Sequence, residues 1–561
     1  MWFASFTPPG ERTTSSSPEA DTFRGLSFAL KKRWGGVGYE KPTTLEGDVA
    51  RLGTGEGRGI SAIGADAWAW ATDDALWISR GPTGGRPVYL ARRGHSWFAS
   101  TSLDYVRHAA GLDRPADKHL AERLTWVFSP EPRTGLYEGV ITLASRDVLC
   151  IDADGLRWMR RQMPDVTPAH AFDGPAASYL WSNIVQAVSR ALGEHKRPAL
   201  MISGGMDSSG VIAATQELGR LGSASCFPHW LFDGPCPDLP YARAVADHFG
   251  IKPMWRSDES WPDAWPDALT LGGAPYGMLA GAPESDGMRA AVGAGADVLL
   301  TGFGGDESMG GVAQSIMRDR SVDPRDAFMR VAKLRMSWPT SMLERCIHYA
   351  IRPALRPHTP MRLRALLNAR AEKHSLPWVG EYTRDYLRGA MRAQSEHEYD
   401  LSTTEGRYRR MSETPALMAF SELRAQIEQV CGNILRLDPL FDDRLVAAVA
   451  SISPYTLYSD DRHRGLYRRC LKGRVPDMVP ERRDKAYFEH AFGRAWLRAR
   501  HKPAFAELAQ GRHLASRGLV DRDIFVQSTQ RLWATDDPYL LGSSLVQFWP
   551  AFSVEQFLER R

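Results

Sequence analysis

The sequence predicts an α/β protein: a β-rich N-terminal region, then a parallel-sheet domain that runs into a long helical stretch. Three observations carry this. Short apolar segments separated by Gly, Asp and Pro turns fill the stretch from Ala67 to Met159. From about Thr167, helical periodicities alternate with short all-apolar runs, the pattern of strands buried on both faces. From Asp326 to Arg561 nearly everything reads as helix, with loops at the Pro-rich stretches.

Taken in order, the first thirty residues are rich in Ser, Thr, Pro and Gly (Thr7–Gly10, Thr13–Pro18) and read as an irregular lead-in. Strands follow at Ala67–Ala71, Ala75–Ile78, Pro87–Ala91, Trp97–Ser100, Val148–Ile151 and Leu156–Met159, interrupted by one helical stretch at about Asp117–Val127. The run Gly53–Gly59 resembles a phosphate loop in composition, but no strand leads into it and no helix follows, so it reads as a turn. Beyond a boundary placed between residues 165 and 166, Leu180, Ile184, Val188 and Leu192 repeat at helical spacing, and Pro198–Ile202 makes a short buried strand. Directly after it come Ser203-Gly-Gly-Met-Asp-Ser-Ser209 and a helical pattern over Gly210–Leu218. A second unit comprises strand Ser225–Phe232, helix Leu239–Phe249 closed by Gly250, and strand Lys252–Arg256; a third pairs helix Gly287–Val292 with strand Asp297–Thr301.

Bulk properties narrow the function. A chain of 561 residues exceeds one ordinary core, and 43% hydrophobic with 24% charged residues is ordinary for a soluble protein. A net charge of +4 is small for this size and does not indicate a nucleic-acid binder. The basic stretch Arg462–Arg474 reads as phosphate-facing or as a solvated helix face. Eighteen Trp suit large cores and, alternatively, grooves for apolar peptides. The cysteines Cys150, Cys226, Cys236, Cys346, Cys431 and Cys470 are scattered without a C-x-x-C pair, so neither zinc nor a disulfide framework is expected, and a reducing cytoplasm fits. No run approaches the length that spans a bilayer, and no membrane partner is expected.

The chemistry concentrates after the strand ending at Ile202. A strand that turns through Ser-Gly-Gly-x-Asp-Ser-Ser into a helix presents backbone N–H groups, hydroxyls and the positive end of a helix dipole at the carboxyl edge of a parallel sheet. Gly204 and Gly205 permit close approach of a phosphate chain, Ser203, Ser208 and Ser209 can donate hydrogen bonds, and Asp207 can reach a Mg²⁺ that neutralises it. A plain Gly-Gly turn is the competing reading; strand, loop and helix in register favour the anion site.

This segment resembles the pyrophosphate loop of N-type ATP pyrophosphatases, and Thr301-Gly-Phe-Gly-Gly-Asp-Glu307 is similar to the Gly-x-Gly-x-Asp-Glu motif of asparagine synthetases. Further similarities lie at Arg436–Arg444 (the substrate carboxylate pocket), at Val475-Pro476 with Arg483–Phe488, and, in the N-terminal region, at Leu76–Tyr89, Phe98–Ser100 and Tyr137–Val140, so the resemblance covers roughly residues 60–500. It implies a degenerate Ntn-type glutaminase-like domain over residues 1–165 and an adenine-nucleotide α-hydrolase-like synthetase domain over residues 166–561. It also implies that ATP and pyrophosphate are bound by Ile202, Ser203, Gly204, Gly205, Asp207, Ser208, Ser209, Thr301, Gly302, Arg464 and Lys485. Within that set Asp207 and Asp306 share Mg²⁺, Arg464 replaces a phosphate-binding lysine, and Lys485 is catalytic beside the adenylate.

Two departures decide the subtype. Glutamine-dependent members use a cysteine at position 2, where this chain has Trp2, and an indole cannot form a thioester. The residue between the glycines of the second motif is Glu in asparagine synthetases and Tyr in β-lactam synthetase, whereas Phe303 can transfer no proton. The chain is therefore most similar to lasso peptide cyclases, which adenylate an Asp or Glu side chain of a core peptide and close a macrolactam with its N-terminal amine. The implied partners are that peptide, a leader peptidase and a leader-recognition protein. A β-lactam synthetase-like cyclase and a non-catalytic scaffold on the same fold are the alternatives; the persistence of Asp207, Asp306 and Lys485 speaks against the scaffold.

Overall fold

The structure is a computed structural model that describes residues 3–6, 21–23, 26–28, 67–71, 75–81, 86–126, 134–231, 236–257, 259, 261–271, 273–335, 341–355, 376–396, 399–431, 434–483 and 489–561. Period-two alternation in the N-terminal region builds two antiparallel sheets. Their strands are β1 (Phe3–Phe6), β2 (Asp21–Phe23), β3 (Leu26–Phe28), β4 (Ala67–Ala71), β5 (Leu76–Arg80), β6 (Tyr89–Arg93), β7 (Ser96–Ser100), β8 (Ile141–Thr142), β9 (Asp147–Asp152) and β10 (Gly155–Arg160). One sheet runs β2-β3-β1-β7-β6-β8 and the other β10-β9-β5-β4. Leu90 and Ala99 of the first share a buried cluster with Leu76, Ile78, Leu149 and Ile151 of the second, so the two sheets face each other.

Two expectations need correction here. Part of the lead-in is sheet: β1 pairs with β7 from Phe3↔Ser100 to Phe6↔Trp97 and with β3 on its other side, so its neighbours rather than its composition decide its conformation. The Ser/Thr-rich stretch Thr13–Pro18, the Gly53–Gly59 run and Trp2 lie outside the described residues. Two helices interrupt the strands rather than one, α1 (Leu103–Ala110) and α2 (Asp117–Thr125). The first is capped by Ser102, whose side chain accepts from Tyr105 N, and is closed by Gly111 at φ +72°.

The second region is built on parallel strands β11 (Pro198–Leu200), β12 (Pro228–Leu231) and β13 (Met254–Ser257), then a two-residue hairpin β14 (Thr270–Leu271) and β15 (Ala274–Pro275), then β16 (Val298–Leu300) and β17 (Leu435–Leu437). β16 lies between β11 and β17, while β12 pairs with β13 and is joined to β11 through Ala199↔Cys226 and Ile202 N→Pro228 O at 3.2 Å. The parallel order is therefore β13-β12-β11-β16-β17. The chain winds outward in one direction from β11 and then in the other, which puts a topological switch point between β11 and β16. β17 falls inside the stretch read as helical. A three-residue strand is too short to show a period, and its pairing with β16 (Leu299↔Arg436) decides its conformation.

Helix α3 (Ala176–Leu192) leads into β11, and α4 (Met206–Glu217), α5 (Leu239–Phe249) and α6 (Gly281–Gly293) lie between successive strands. The expected face of α3, Leu180, Ile184, Val188 and Leu192, is buried in the main core. A second apolar cluster joins Leu103, Val106, Leu120 and Leu124 of α1 and α2 to Trp496 of α7 (Glu489–Ala499) and to Leu545, Trp549 and Phe552 of α8 (Pro538–Glu559). The N-terminal region is thus seated on the C-terminal helices. Ionic contacts fasten it as well: Arg146 pairs with Glu413 at 2.7 Å with both side chains buried, and Arg123 pairs with Glu422. Trp261, Trp265, Trp378, Trp496 and Trp549 are fully buried, which gives these tryptophans the core role. All six cysteines are buried and none forms a disulfide. Among the described residues no helix is long and apolar enough to cross a membrane.

Candidate active site

The loops that follow β11 and β16 meet at the switch point. α4 begins at Met206, with Gly205 as its N-cap, so Asp207, Ser208 and Ser209 stand in its first turn rather than in a preceding loop. That corrects the expected helix start at Gly210, and it brings these side chains closer to the positive end of the helix dipole. Gly204 has φ +73°, and a Cβ there would fall 2.7 Å from the carbonyl carbon of Tyr241; only glycine lets the loop pass α5 so closely.

The serines divide their work. Ser203 is exposed and shares a 2.8 Å hydrogen bond with the Ser208 hydroxyl, while Ser203 N donates to Ser208 Oγ at 3.2 Å and Gly205 N donates to Ser203 Oγ at 3.2 Å. Ser208 is buried and braces the loop from inside. Ser209 is fully buried and its hydroxyl has no hydrogen-bond partner. Ile202 is buried and ties the end of β11 to Pro228.

On the facing loop, Thr301 is held by its own hydroxyl, which donates to Asp438 Oδ1 and accepts from Phe303 N at 3.1 Å. Gly302 faces the first turn of α4, and a Cβ on it would fall 2.7 Å from the carbonyl carbon of Asp207. The Arg436–Arg444 segment forms the floor. The Ser308 hydroxyl donates to Leu440 O at 2.8 Å, Phe441 packs on Phe303 with centroids 5.6 Å apart, and Arg436 pairs with Glu284 at 3.0 Å.

The two expected metal carboxylates meet through Arg464. Its Nη1 donates to Asp207 Oδ2 at 3.1 Å and to Asp306 Oδ1 at 2.9 Å, and its Nη2 donates to Asp207 Oδ1. Burial opposes the guanidinium charge, but Asp207 and Asp306 overcome this and leave its pKa above the ordinary value. Glu307, which sequence reasoning gave no role, stands beside them. Burial first, and Asp306 second, push its carboxyl up to about 7. The signal was the Asp-Glu doublet itself. Lys485 lies outside the described residues.

Among the described residues no three His, Cys, Asp or Glu side chains converge as a metal cage. Two carboxylates in the first helical turns that follow adjacent parallel strands fit Mg²⁺ held mainly by nucleotide phosphates and water. The glycine-lined approach and the N-terminus of α4 fit the phosphate chain of ATP.

The family model described as asparagine synthase matches residues 180–549, well over half of the chain. The chain belongs to the asparagine synthase family. That family comprises ATP-dependent amide-bond-forming ligases, and the loops that follow β11 and β16 fall inside the matched span. No curated protein matches the chain.

Proposed function

We propose that this asparagine synthase family member is a macrolactam-forming cyclase of the lasso peptide kind. Its ATP site activates an Asp or Glu side chain of a leader-cleaved core peptide, and the peptide's own N-terminal amine closes the ring. The observation that carries the reading is Phe303. Its ring packs against Phe420 and Phe441 at 6.0 and 5.6 Å, under the guanidinium carbons of Arg424 and Arg436 at 5.3 and 5.7 Å from its centroid. No proton acceptor stands at this position, which suits a nucleophile that is partly neutral by itself. An α-amine with a pKa of about 8 meets that condition at neutral pH. Trp126 packs on Phe420 at 5.7 Å, so a half-buried aromatic surface leads from the N-terminal region to Phe303, a wall suited to an apolar peptide.

A carboxylate oxygen of the peptide attacks the α-phosphorus of ATP; the bond from that phosphorus to the bridging oxygen breaks, and pyrophosphate leaves. The α-amine then adds to the acyl carbon, loses a proton to solvent, and expels AMP. Mg²⁺ held by Asp207 and Asp306 would neutralise phosphate charge in the first step. Ser203, the α4 N-terminus and Gly302 orient the phosphate chain, and Lys485 carries the charge that stabilises the second step. In this reading residues 1–165 form a glutaminase-like region without its nucleophile, kept as a wall of the substrate cleft. The arginines of the 462–474 stretch serve the protein: Arg468 donates to Arg482 O at 3.0 Å, Arg469 pairs with Asp460, and Arg474 covers Trp181. That favours a cytoplasmic peptide ligase, with a leader peptidase and a leader-recognition protein as partners, over a nucleic-acid binder.

The test is incubation with ATP, Mg²⁺ and linear peptides that carry an Asp or Glu some residues from a free N-terminus. The reading expects a product lighter by one water together with AMP and pyrophosphate. Turnover confined to small amino-acid substrates would replace it with a β-lactam-type cyclase, and glutamate release from glutamine would refute the loss of glutaminase.

A further inference from the structure

The contacts of Arg464 assign it more than a phosphate-binding role. Its backbone is left-handed, with φ +60°, at the N-cap of the short helix Gly465–Leu471. Asp460 and Asp461 just before it are left-handed too, at φ +60° and +51°. For residues other than glycine each such conformation is strained. Gly465 seals the turn, because a Cβ there would fall 2.7 Å from the carbonyl carbon of Ser459. This tight segment aims one side chain. The guanidinium carbon lies 5.0 Å from the ring of Tyr467, whose hydroxyl in turn donates to Met206 O at 3.2 Å in the first turn of α4.

Position matters as much as contact. The Arg464 side chain is 4% exposed, against 23% for Asp207 and 48% for Asp306, so the cation sits beneath the two carboxylates and they stand between it and solvent. It engages both oxygens of Asp207 and Oδ1 of Asp306. A planar fork suits that geometry, whereas a lysine ammonium would act as a single point charge.

We infer that Arg464 is an internal counter-cation that holds Asp207 and Asp306 in one frame and cancels part of their charge, so that the site admits a divalent metal as a metal–nucleotide complex and binds the bare metal weakly. The inference rests on the ATP-site reading above. Two carboxylates alone carry the charge that matches a divalent ion; with one guanidinium engaging both, the three groups together carry one negative charge and the ion loses much of that attraction. The phosphates of a bound nucleotide bring the missing negative charge with the metal, so nucleotide and metal enter together.

The experiment is titration of the full chain with Mn²⁺, followed by electron paramagnetic resonance, with and without α,β-methylene-ATP. Wild type should bind Mn²⁺ at least tenfold more weakly alone than with the nucleotide. Arg464→Met should tighten binding of Mn²⁺ alone by at least tenfold. Arg464→Gln, which is neutral but can still donate to a carboxylate, should act in the same direction and covers the case in which the methionine variant fails to fold, as read by circular dichroism. A purely structural arginine would weaken both forms of binding when replaced. Wild type binding Mn²⁺ equally well alone, or folded variants whose nucleotide-free affinity stays within twofold of wild type, would overturn the inference. If wild type bound no Mn²⁺ with α,β-methylene-ATP present, the ATP-site reading itself would fall.

Discussion

Replacing Gly302 by alanine tests whether the two loops of the site form one rigid unit. The added Cβ would stand 2.7 Å from the carbonyl carbon of Asp207 and 2.9 Å from its Cβ, with Ser208 N closer still. These atoms belong to the first turn of α4 and cannot rotate aside. Restoring ordinary contact requires β16 and α4 to part by about 1 Å, an overpacking that costs about 1–3 kcal/mol. The same shift separates Asp207 from Asp306, and a misplacement of about 1 Å commonly costs around 100-fold in rate. Gly389 is the control: it is exposed in helix Glu381–Glu396, a Cβ there meets nothing within 4 Å, and alanine should stabilise that helix by about 1 kcal/mol or less. Scanning calorimetry gives the stability, and titration calorimetry with α,β-methylene-ATP gives the affinity. Gly302→Ala should lower both while Gly389→Ala lowers neither. Unchanged Tm and nucleotide affinity in Gly302→Ala would refute the close-packed arrangement of the two loops.

Further expectations follow from the same physics. Lys485→Met should slow product formation roughly 100-fold while nucleotide affinity, measured in parallel, is kept, because a charge on the developing oxyanion is lost but the phosphate loop is not. Glu413 is buried and takes Arg146, Arg160 and Arg409, so Glu413→Ala strands buried positive charge and should cost about 3 kcal/mol or more in urea unfolding. Burial, against the Tyr408 hydroxyl and the Arg161 and Arg146 charges, pushes the Asp443 carboxyl from 3.8 up to about 6. The folded chain therefore holds that proton more tightly than the unfolded chain, and the stabilisation is complete below about pH 4 and lost as pH rises through about 6. The Tm of wild type relative to Asp443→Asn should accordingly fall between pH 4 and pH 7, and a pH-independent difference would place the carboxyl at its ordinary value.

Much of the nucleotide half was legible because local signals and tertiary packing agree there. Leu180, Ile184, Val188 and Leu192 repeat at helical spacing and are all buried, and the apolar run ending at Ile202 is a central strand. What was not legible depends on contacts distant in sequence. β17 has no periodicity to read, and β1 hides in a segment whose composition resembles a loop; each is specified by the neighbour it pairs with. At the site, the motif glycines and carboxylates could be placed from sequence. The seating of Arg464 beneath Asp207 and Asp306 could not, because it depends on left-handed backbone at Asp460, Asp461 and Arg464, which no side-chain pattern announces. Likewise, Ser209 looks equivalent to Ser203 in sequence, yet its place in the first turn of α4 turns it inward.

In the proposed reaction this chain activates a carboxylate by joining it to AMP. The most direct measurement uses a peptide that is turned over and carries ¹⁸O in its Asp or Glu side-chain carboxylate, with the nucleotide products read by mass spectrometry. Attack of that carboxylate on the α-phosphorus leaves one labelled oxygen in AMP when the amine displaces it, and the account predicts labelled AMP beside unlabelled pyrophosphate. Label in orthophosphate, with ADP as the nucleotide product, would show activation at the γ-phosphorus and contradict the adenylation mechanism.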